Sequence, residues 1–250
     1  MWKYRELIIN LALSDLKSRY QNTILGFFWS LLSPFLMSMV LFFVFRSIFK
    51  QEENFLLNLL VGMMAWRFFL VSTNASLMSI VGKPSLVIKV YIPRQILVLS
   101  GALANLIGSF LEFVTLLPVI FVILGTVPVT VLLFPFIHLF YFWLIFGVGL
   151  LLSSLYVYFR DLNQIWEVLL NILFFSCPIV YPLSMVSERL MPYYFLNPIT
   201  NLIEMFRDVM VKGTLPRLEN VAVVSGFGAA IFLIGSYVFD RLQRRFAEEI

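Results

Sequence analysis

Apolar residues run in long unbroken stretches along this chain, and polar residues gather in short clusters between them. Six stretches stand out: Ile24 to Phe45, Phe55 to Val81, Ile96 to Leu124, Val129 to Tyr158, Ile165 to Leu183 and Val221 to Phe239. A helix rises about 1.5 Å per residue and the hydrocarbon layer is about 30 Å thick, so about 20 apolar residues suffice to cross it. Backbone amides inside that layer have no water to bind, and a helix satisfies them within one segment. The pattern predicts an all-α integral membrane protein with six transmembrane helices. No polar stretch is long enough to fold a soluble domain, so residues 1–250 read as one membrane domain.

The segments between the spans carry their own periodicities. Lys3, Glu6, Asn10, Ser14, Lys17 and Gln21 fall on one helical stripe, and Ile9, Leu13, Leu16 and Tyr20 follow another. Residues 1–23 therefore read as an amino-terminal amphipathic interface helix, with a solvated linker as the alternative. Charges throughout and no small-residue cleavage site argue against a signal peptide. Residues 83–95 hold a short helix framed by prolines, with Pro84 suited to its first turn and Pro93 ending it. Residues 184–216 are interrupted by Pro192, Pro198 and Pro216 and are too broken to span. Within them Glu188 to Phe195 is amphipathic, and Ile199, Leu202, Ile203, Phe206, Val209 and Met210 make an apolar stripe at helical spacing. Two short outer helices are expected there, dipping back into the membrane or lying on its outer face, with a plain surface loop as the alternative.

Composition agrees: 61% of residues are hydrophobic and only 13% charged, which no soluble domain of this length needs. A net charge of +4 would admit nucleic acid as a partner, but the basic residues sit at span ends, and topology accounts for them. With the amino terminus inside, the cytoplasmic side holds Lys3, Arg5, Lys17, Arg19, Lys83, Lys89, Arg94, Arg160, Arg241, Arg244 and Arg245. The other side holds Arg46, Lys50, Arg189, Arg207, Lys212 and Arg217. The excess places both termini in the cytoplasm.

Several chemistries are excluded. Gly82-Lys83 lacks the upstream glycine and the following Ser or Thr of a phosphate loop, so the chain does not hydrolyse nucleotide by itself. His138, the single histidine, lies in an aromatic run and has no partners for a metal site or a catalytic triad. The lone Cys177 reads as a small buried hydrophobe and forms no intrachain disulfide. Arg67, Glu112 and Glu167 are ionisable groups within spans. Arg67 is expected to snorkel or to face protein, and the three together leave open a stand-alone ion-coupled transporter. The absence of internal inverted repeats weighs against that alternative.

Five short strings point elsewhere. Lys17-Ser18-Arg19-Tyr20-Gln21 with Leu25-Gly26, Trp29 and Pro34 is followed by Tyr91-Ile92-Pro93-Arg94, Tyr158-Phe159-Arg160-Asp161-Leu162, Pro178-Ile179-Val180-Tyr181-Pro182 and Asn197-Pro198. In order and spacing, over nearly the whole chain, they resemble the permease subunits of ABC exporters for polysaccharides, the group that moves lipid-linked O-antigen, capsule and teichoic acid chains. The strings are more similar to the O-antigen and teichoic acid branches. The resemblance implies a homodimer in the bacterial cytoplasmic (inner) membrane, joined by two ATP-binding cassette subunits that hold ATP and Mg, with no cofactor on this chain. It implies that the 83–95 segment is the coupling helix, with Pro84, Lys89, Tyr91, Pro93 and Arg94 facing an ATPase subunit, where the residues alone allow a bland basic loop.

Arg160 and Asp161 are either a local ion pair or a second contact with that partner. Lys17, Arg19, Tyr20 and Trp29 surround the entry of the first span, where Gly26 permits a turn; simple headgroup anchoring and guidance of a lipid-linked substrate both fit. Phe35, Trp66, Phe69, Trp166, Phe174, Phe175 and Tyr181 lie in the first, second and fifth spans. Sugar rings present apolar C–H faces, so these aromatics are candidates to line a glycan channel, against the alternative that they pack between helices or face lipid. Residues 184–216 would act as outer gate-like helices.

Overall fold

The computed structural model describes residues 2–21, 24–48, 54–90 and 92–249, without the side chains of Trp2, Tyr20 and Ala247. Tyr91 of the 83–95 segment and Lys50 lie outside the described residues. Those described form helices and connecting turns, with no strand among them.

Helix α1 covers Arg5–Tyr20, α2 Phe28–Phe45, α3 Phe55–Met78, α4 Pro84–Lys89, α5 Gln95–Leu124 and α6 Phe134–Tyr158. They are followed by α7 at Leu162–Ser176, α8 at Met191–Leu196, α9 at Pro198–Arg207, α10 at Leu218–Leu242 and a last turn, α11, at Phe246–Glu249. Among the described residues five helices are long and apolar enough to cross a membrane: α2, α3, α5, α6 with the 3₁₀ turn before it, and α10 with the turn after it. The fifth expected span, 165–183, differs. Its helix α7 has 15 residues, about 22 Å, and stops at Cys177, because Pro178 and Pro182 cannot continue the hydrogen-bond ladder. The first span also starts later than expected: Ile24 is fully exposed, Gly26 turns the chain at a φ of +51°, and α2 begins at Phe28.

Helix α3 is the axle of the bundle, buried along most of its length and flanked by α2, α5, α6, α7 and α9. Helix α2 touches it along a narrow seam, its buried residues being Ser30, Pro34 and Ser38, one per turn. Leu31, Leu41, Phe42 and Phe45 are partly buried beside that seam, and the opposite face, including Phe35, Val40 and Phe43, is exposed apolar surface. Helices α6 and α10 approach closely through glycines. A Cβ on Gly147 would lie 2.7 Å from the Phe232 nitrogen, and one on Gly235 would collide with the Gly147 carbonyl. Such small-residue contacts let helices pack without a hydrophobic driving force.

Helix α1 departs from its expected face. The apolar stripe of α1 was expected at Ile9, Leu13 and Leu16, but α1 docks on α5 through Ile8 and Ala12, leaving Ile9 and Leu13 about half exposed. One apolar side thus serves the protein and the other is free for lipid. Helix α9 and the turn after it bury the apolar stripe expected of this segment: Ile199, Leu202, Ile203, Phe206, Val209 and Met210 are all buried, and the helix inserts between α3, α6 and α10. Asn197 starts it, its side chain accepting from the Ile199 amide at 3.0 Å, with Pro198 at the first helical position. That is the physical content of the Asn-Pro string: a cap followed by the residue that needs no amide partner.

Candidate functional site

The termini and α4 meet at one end of the bundle. Lys83, just before α4, holds both carboxylate oxygens of Asp15 on α1 at 2.7 Å, and Arg19 donates to Asn105 of α5 at 2.5 Å. These contacts tie α1 to Lys83 at the start of α4 and to α5. Arg94 donates to the Gln243 carbonyl and lies 5.9 Å over the Phe246 ring; Tyr158 donates to Leu242 at 2.9 Å. Arg94 is therefore engaged by the carboxy-terminal segment, whereas Lys89 and Pro84 are exposed on α4 beside Ile88 and Val90, while Val87 is buried under them. Arg160 stacks on Tyr156 at 5.5 Å, and Asp161 is exposed at the start of α7. Lys17 and Trp29 are exposed near the α1–α2 turn. A crevice of about 360 Å³ runs between α1 and the α3 and α5 helices, lined by Asp15, Arg19, Met78, Lys83 and Ala104 among others.

Deeper in the bundle Arg67 pairs with Glu112 at 3.4 Å. This satisfies two charges that would be costly alone in a bilayer. Glu167 is exposed on α7 and does not join them. His138 has Ser109 at 3.2 Å from Nε2 and the Phe134 carbonyl at 3.0 Å from Nδ1, within a cage of phenylalanines that includes Phe113 and Phe206.

The aromatics divide into two sets. Trp66, Phe69 and Trp166 are 5%, 3% and 9% exposed and pack against one another and Tyr141; the Trp166 indole donates to Thr73 at 3.2 Å. These three rings are buried inside the bundle and packed against its other side chains. Phe35 and Phe175 are exposed, at 38% and 71%. Phe174 lies between the sets, edge-on to Trp66 at 5.6 Å. Tyr181 bonds to the Phe175 carbonyl and the Tyr194 hydroxyl, fastening the post-α7 segment to α8.

At the opposite end lies a cluster that reading the sequence missed. Where α7 stops, the carbonyls of Pro178 and Ile179 lose helical partners, and a buried carbonyl must find a donor. Arg207 supplies it: Nη1 donates to Pro178 at 2.8 Å and Nη2 to Ile179 at 3.1 Å, while Nε reaches the Asn58 carbonyl on α3 at 3.1 Å. Glu204 accepts from Arg207 at 2.8 Å and from Lys212 at 3.2 Å, and Lys212 also holds Asp208 at 2.9 Å. The helix widens into a π turn over Asp208–Lys212 before Gly213 ends it at a φ of +69°. Burial alone would raise the Glu204 carboxyl, but the charges of Arg207 and Lys212 outweigh it and hold it below the ordinary glutamate value. For Lys212 burial acts to lower the ammonium, and its bonds and charges from Asp208 and Glu204 raise it above the ordinary lysine value. The signal was present in the sequence as Glu204, Arg207, Asp208 and Lys212 at spacings of three and four, but basic residues in a broken outer segment read there as topology.

A helical bundle with five membrane-length helices among the described residues and an exposed basic elbow beside both termini has the make-up of an integral membrane protein. The chain belongs to the ABC-2 type transporter family, whose profile matches residues 6–211. It is 30% identical to the O-antigen export system permease protein RfbA of Klebsiella pneumoniae, across 97% of this chain and 94% of that one. It is also 30% identical to the protein of the same name from Myxococcus xanthus, across 100% and 97%. The polysialic acid transport protein KpsM of Escherichia coli is more distant, at 21% identity across 90% and 89%.

Proposed function

We propose that this chain is the membrane-spanning subunit of an ATP-driven exporter of lipid-linked polysaccharide, of the O-antigen class. Two copies form the transport path, and two ATP-binding cassette subunits supply ATP, Mg and hydrolysis, while this chain binds no cofactor and catalyses no covalent step. The observation that carries the reading is the end-to-end likeness to O-antigen export permeases of two organisms. The structure supports it with an outward face on α4 in which Lys89 stands beside Ile88 and Val90, a mixed apolar and basic elbow suited to a groove on a partner. The basic residues gathered at the end with α4 and both termini support a cytoplasmic location for that end.

In this mechanism the lipid carrier approaches in the inner leaflet along α1, whose free apolar side and Lys17, Arg19, Tyr20 and Trp29 mark the entry. The glycan passes between two copies along the exposed faces of α2 and α7, where Phe35 and Phe175 offer rings to sugar C–H faces. Motion of the ATPase subunits enters through α4. It reaches α1 by the Asp15–Lys83 pair and the carboxy-terminal segment by Arg94, which explains why these contacts converge. Arg160 and Asp161, exposed in the α6–α7 turn at the same end, are a second contact. The gene's deletion tests the reading: surface polysaccharide should be lost from the host, return with the wild-type chain, and an ATPase subunit should co-purify with it. Undiminished surface polysaccharide in the deletion strain would overturn the assignment.

A further inference from the structure

At the end of the bundle away from the termini, a cavity of about 250 Å³ opens between the start of α3, the 179–184 segment, α9 and the start of α10. Glu204, Arg207, Asp208 and Lys212 line it, and Tyr181 and Phe195 bring aromatic rings to its wall. Arg207 is committed to three carbonyls and Glu204, so its role is structural. Other groups in the cavity are not committed. Asn220 is 3% exposed and lines the cavity, yet its carboxamide has no hydrogen-bond partner among the described residues. Asp208 is 7% exposed; Lys212 takes its Oδ1, and Oδ2 has no partner among the described residues. Lys212 uses two of its three donors, on Glu204 and Asp208, and Arg217 at the mouth of the cavity is exposed with none of its donors used among the described residues.

The Asn220 amide thus lines the same cavity as an open carboxylate oxygen and two cationic donors. We propose that this cavity binds a single sugar unit. A hydroxyl both donates and accepts, so one hydroxyl can donate to Asp208 Oδ2 while it and its neighbour accept from Lys212, Arg217 and the Asn220 amide. The Tyr181 ring offers a flat surface to the C–H face of the pyranose. A fully ionised phosphate oxygen can accept from Lys212 and Arg217 but has no proton to give the open Oδ2 of Asp208, whereas a hydroxyl serves both. The size fits one unit rather than a chain, because pockets that bury drug-sized molecules run from about 300 to 1,000 Å³. The inference rests on the polysaccharide reading above and deepens it: each protomer holds one sugar of the exported glycan at the outer end, apart from the path between copies.

The test uses the complex of this chain with its ATPase in lipid nanodiscs. The probes are the monosaccharides released by acid hydrolysis of the host's own surface polysaccharide, with inorganic phosphate as competitor, and binding is read by saturation-transfer NMR. At least one of those sugars should bind saturably and resist phosphate, and binding should weaken about tenfold in Asn220→Leu, the loss of about one hydrogen bond. Arg217→Ala, at an exposed position, should weaken it as well and serves as the second variant if Asn220→Leu does not fold. No saturable sugar binding, displacement by phosphate, or binding indifferent to both substitutions would each overturn the site. Export measured in cells of the same strain separates the two readings, since a complex that exports polysaccharide but binds no sugar here refutes the site alone.

Discussion

Arg207 donates to the carbonyl of Pro178 at 2.8 Å, joining the end of α9 to the point where α7 stops. Proline ends the helix there and frees carbonyls inside a membrane protein; a guanidinium from a distant, inserted helix replaces the missing amides. A planar fork with five donors serves Asn58, Pro178, Ile179 and Glu204 together, four acceptors, where a lysine has three donors. Arg207→Met is expected to destabilise the protein by about 3–5 kcal/mol, because it strands Glu204 and the carbonyls together. Arg207→Lys should fall between. Thermal unfolding in detergent measures both, and an unchanged midpoint for Arg207→Met would contradict the clamp.

Lys89 and Arg94 were grouped by sequence but separate in space. Lys89→Glu should reduce co-purification of the ATPase and export while leaving the fold intact. Arg94→Glu should first release the carboxy-terminal segment from Gln243 and Phe246, seen as earlier proteolysis near residue 243. Equal proteolysis of the two variants would mean that Arg94 does not hold the tail.

The two sets of aromatics should respond differently. Trp66→Ala and Trp166→Ala remove buried rings and should lower stability by about 3–5 kcal/mol, as in other cores. The combined Phe35→Leu and Phe175→Leu variant keeps apolar volume at exposed positions, so it should fold normally and export less polysaccharide per assembled complex. Full export by that double variant would remove these rings from the sugar path.

Stability should depend on pH through the Glu204 cluster. The Glu204 carboxyl lies below its ordinary value when folded, so its contribution is present above the ordinary glutamate range, about pH 4.3, and is lost as pH falls through the folded value. Lys212 is raised, so its contribution holds below the ordinary lysine value, about 10.4, and is lost as pH rises through the folded one. In melting curves across pH, the acid loss should be smaller in Glu204→Gln than in the wild type. Parallel curves would show that Glu204 does not carry it.

Orientation is open to direct labelling. In a Cys177→Ser background, Lys3→Cys and Glu249→Cys should stay unmodified by an impermeant thiol reagent applied outside intact cells, and Ser187→Cys should react. Labelling of either terminal position would place α4 on the outer side and away from any cytoplasmic ATPase.

The sequence by itself determined the membrane class, the position of most spans and the short helix begun by Pro84. These follow from local facts: the length of an apolar run against the thickness of a bilayer, and the backbone demands of proline. It also marked Asn197-Pro198 as a break, for the same local reason. Only the tertiary structure decided which face of each helix is buried. An apolar side chain satisfies lipid and protein alike, so the sequence could not tell that Ile8 and Ala12 dock α1 while Ile9 and Leu13 stay exposed, or that Trp66 and Trp166 are buried in the bundle and Phe175 lies on its surface. Charges carry the same ambiguity over longer distances. Arg207 looked like one more basic residue in an outer segment, and its role depends on carbonyls of Asn58, Pro178 and Ile179 that lie far from it in sequence and come within reach only when α9 inserts into the bundle.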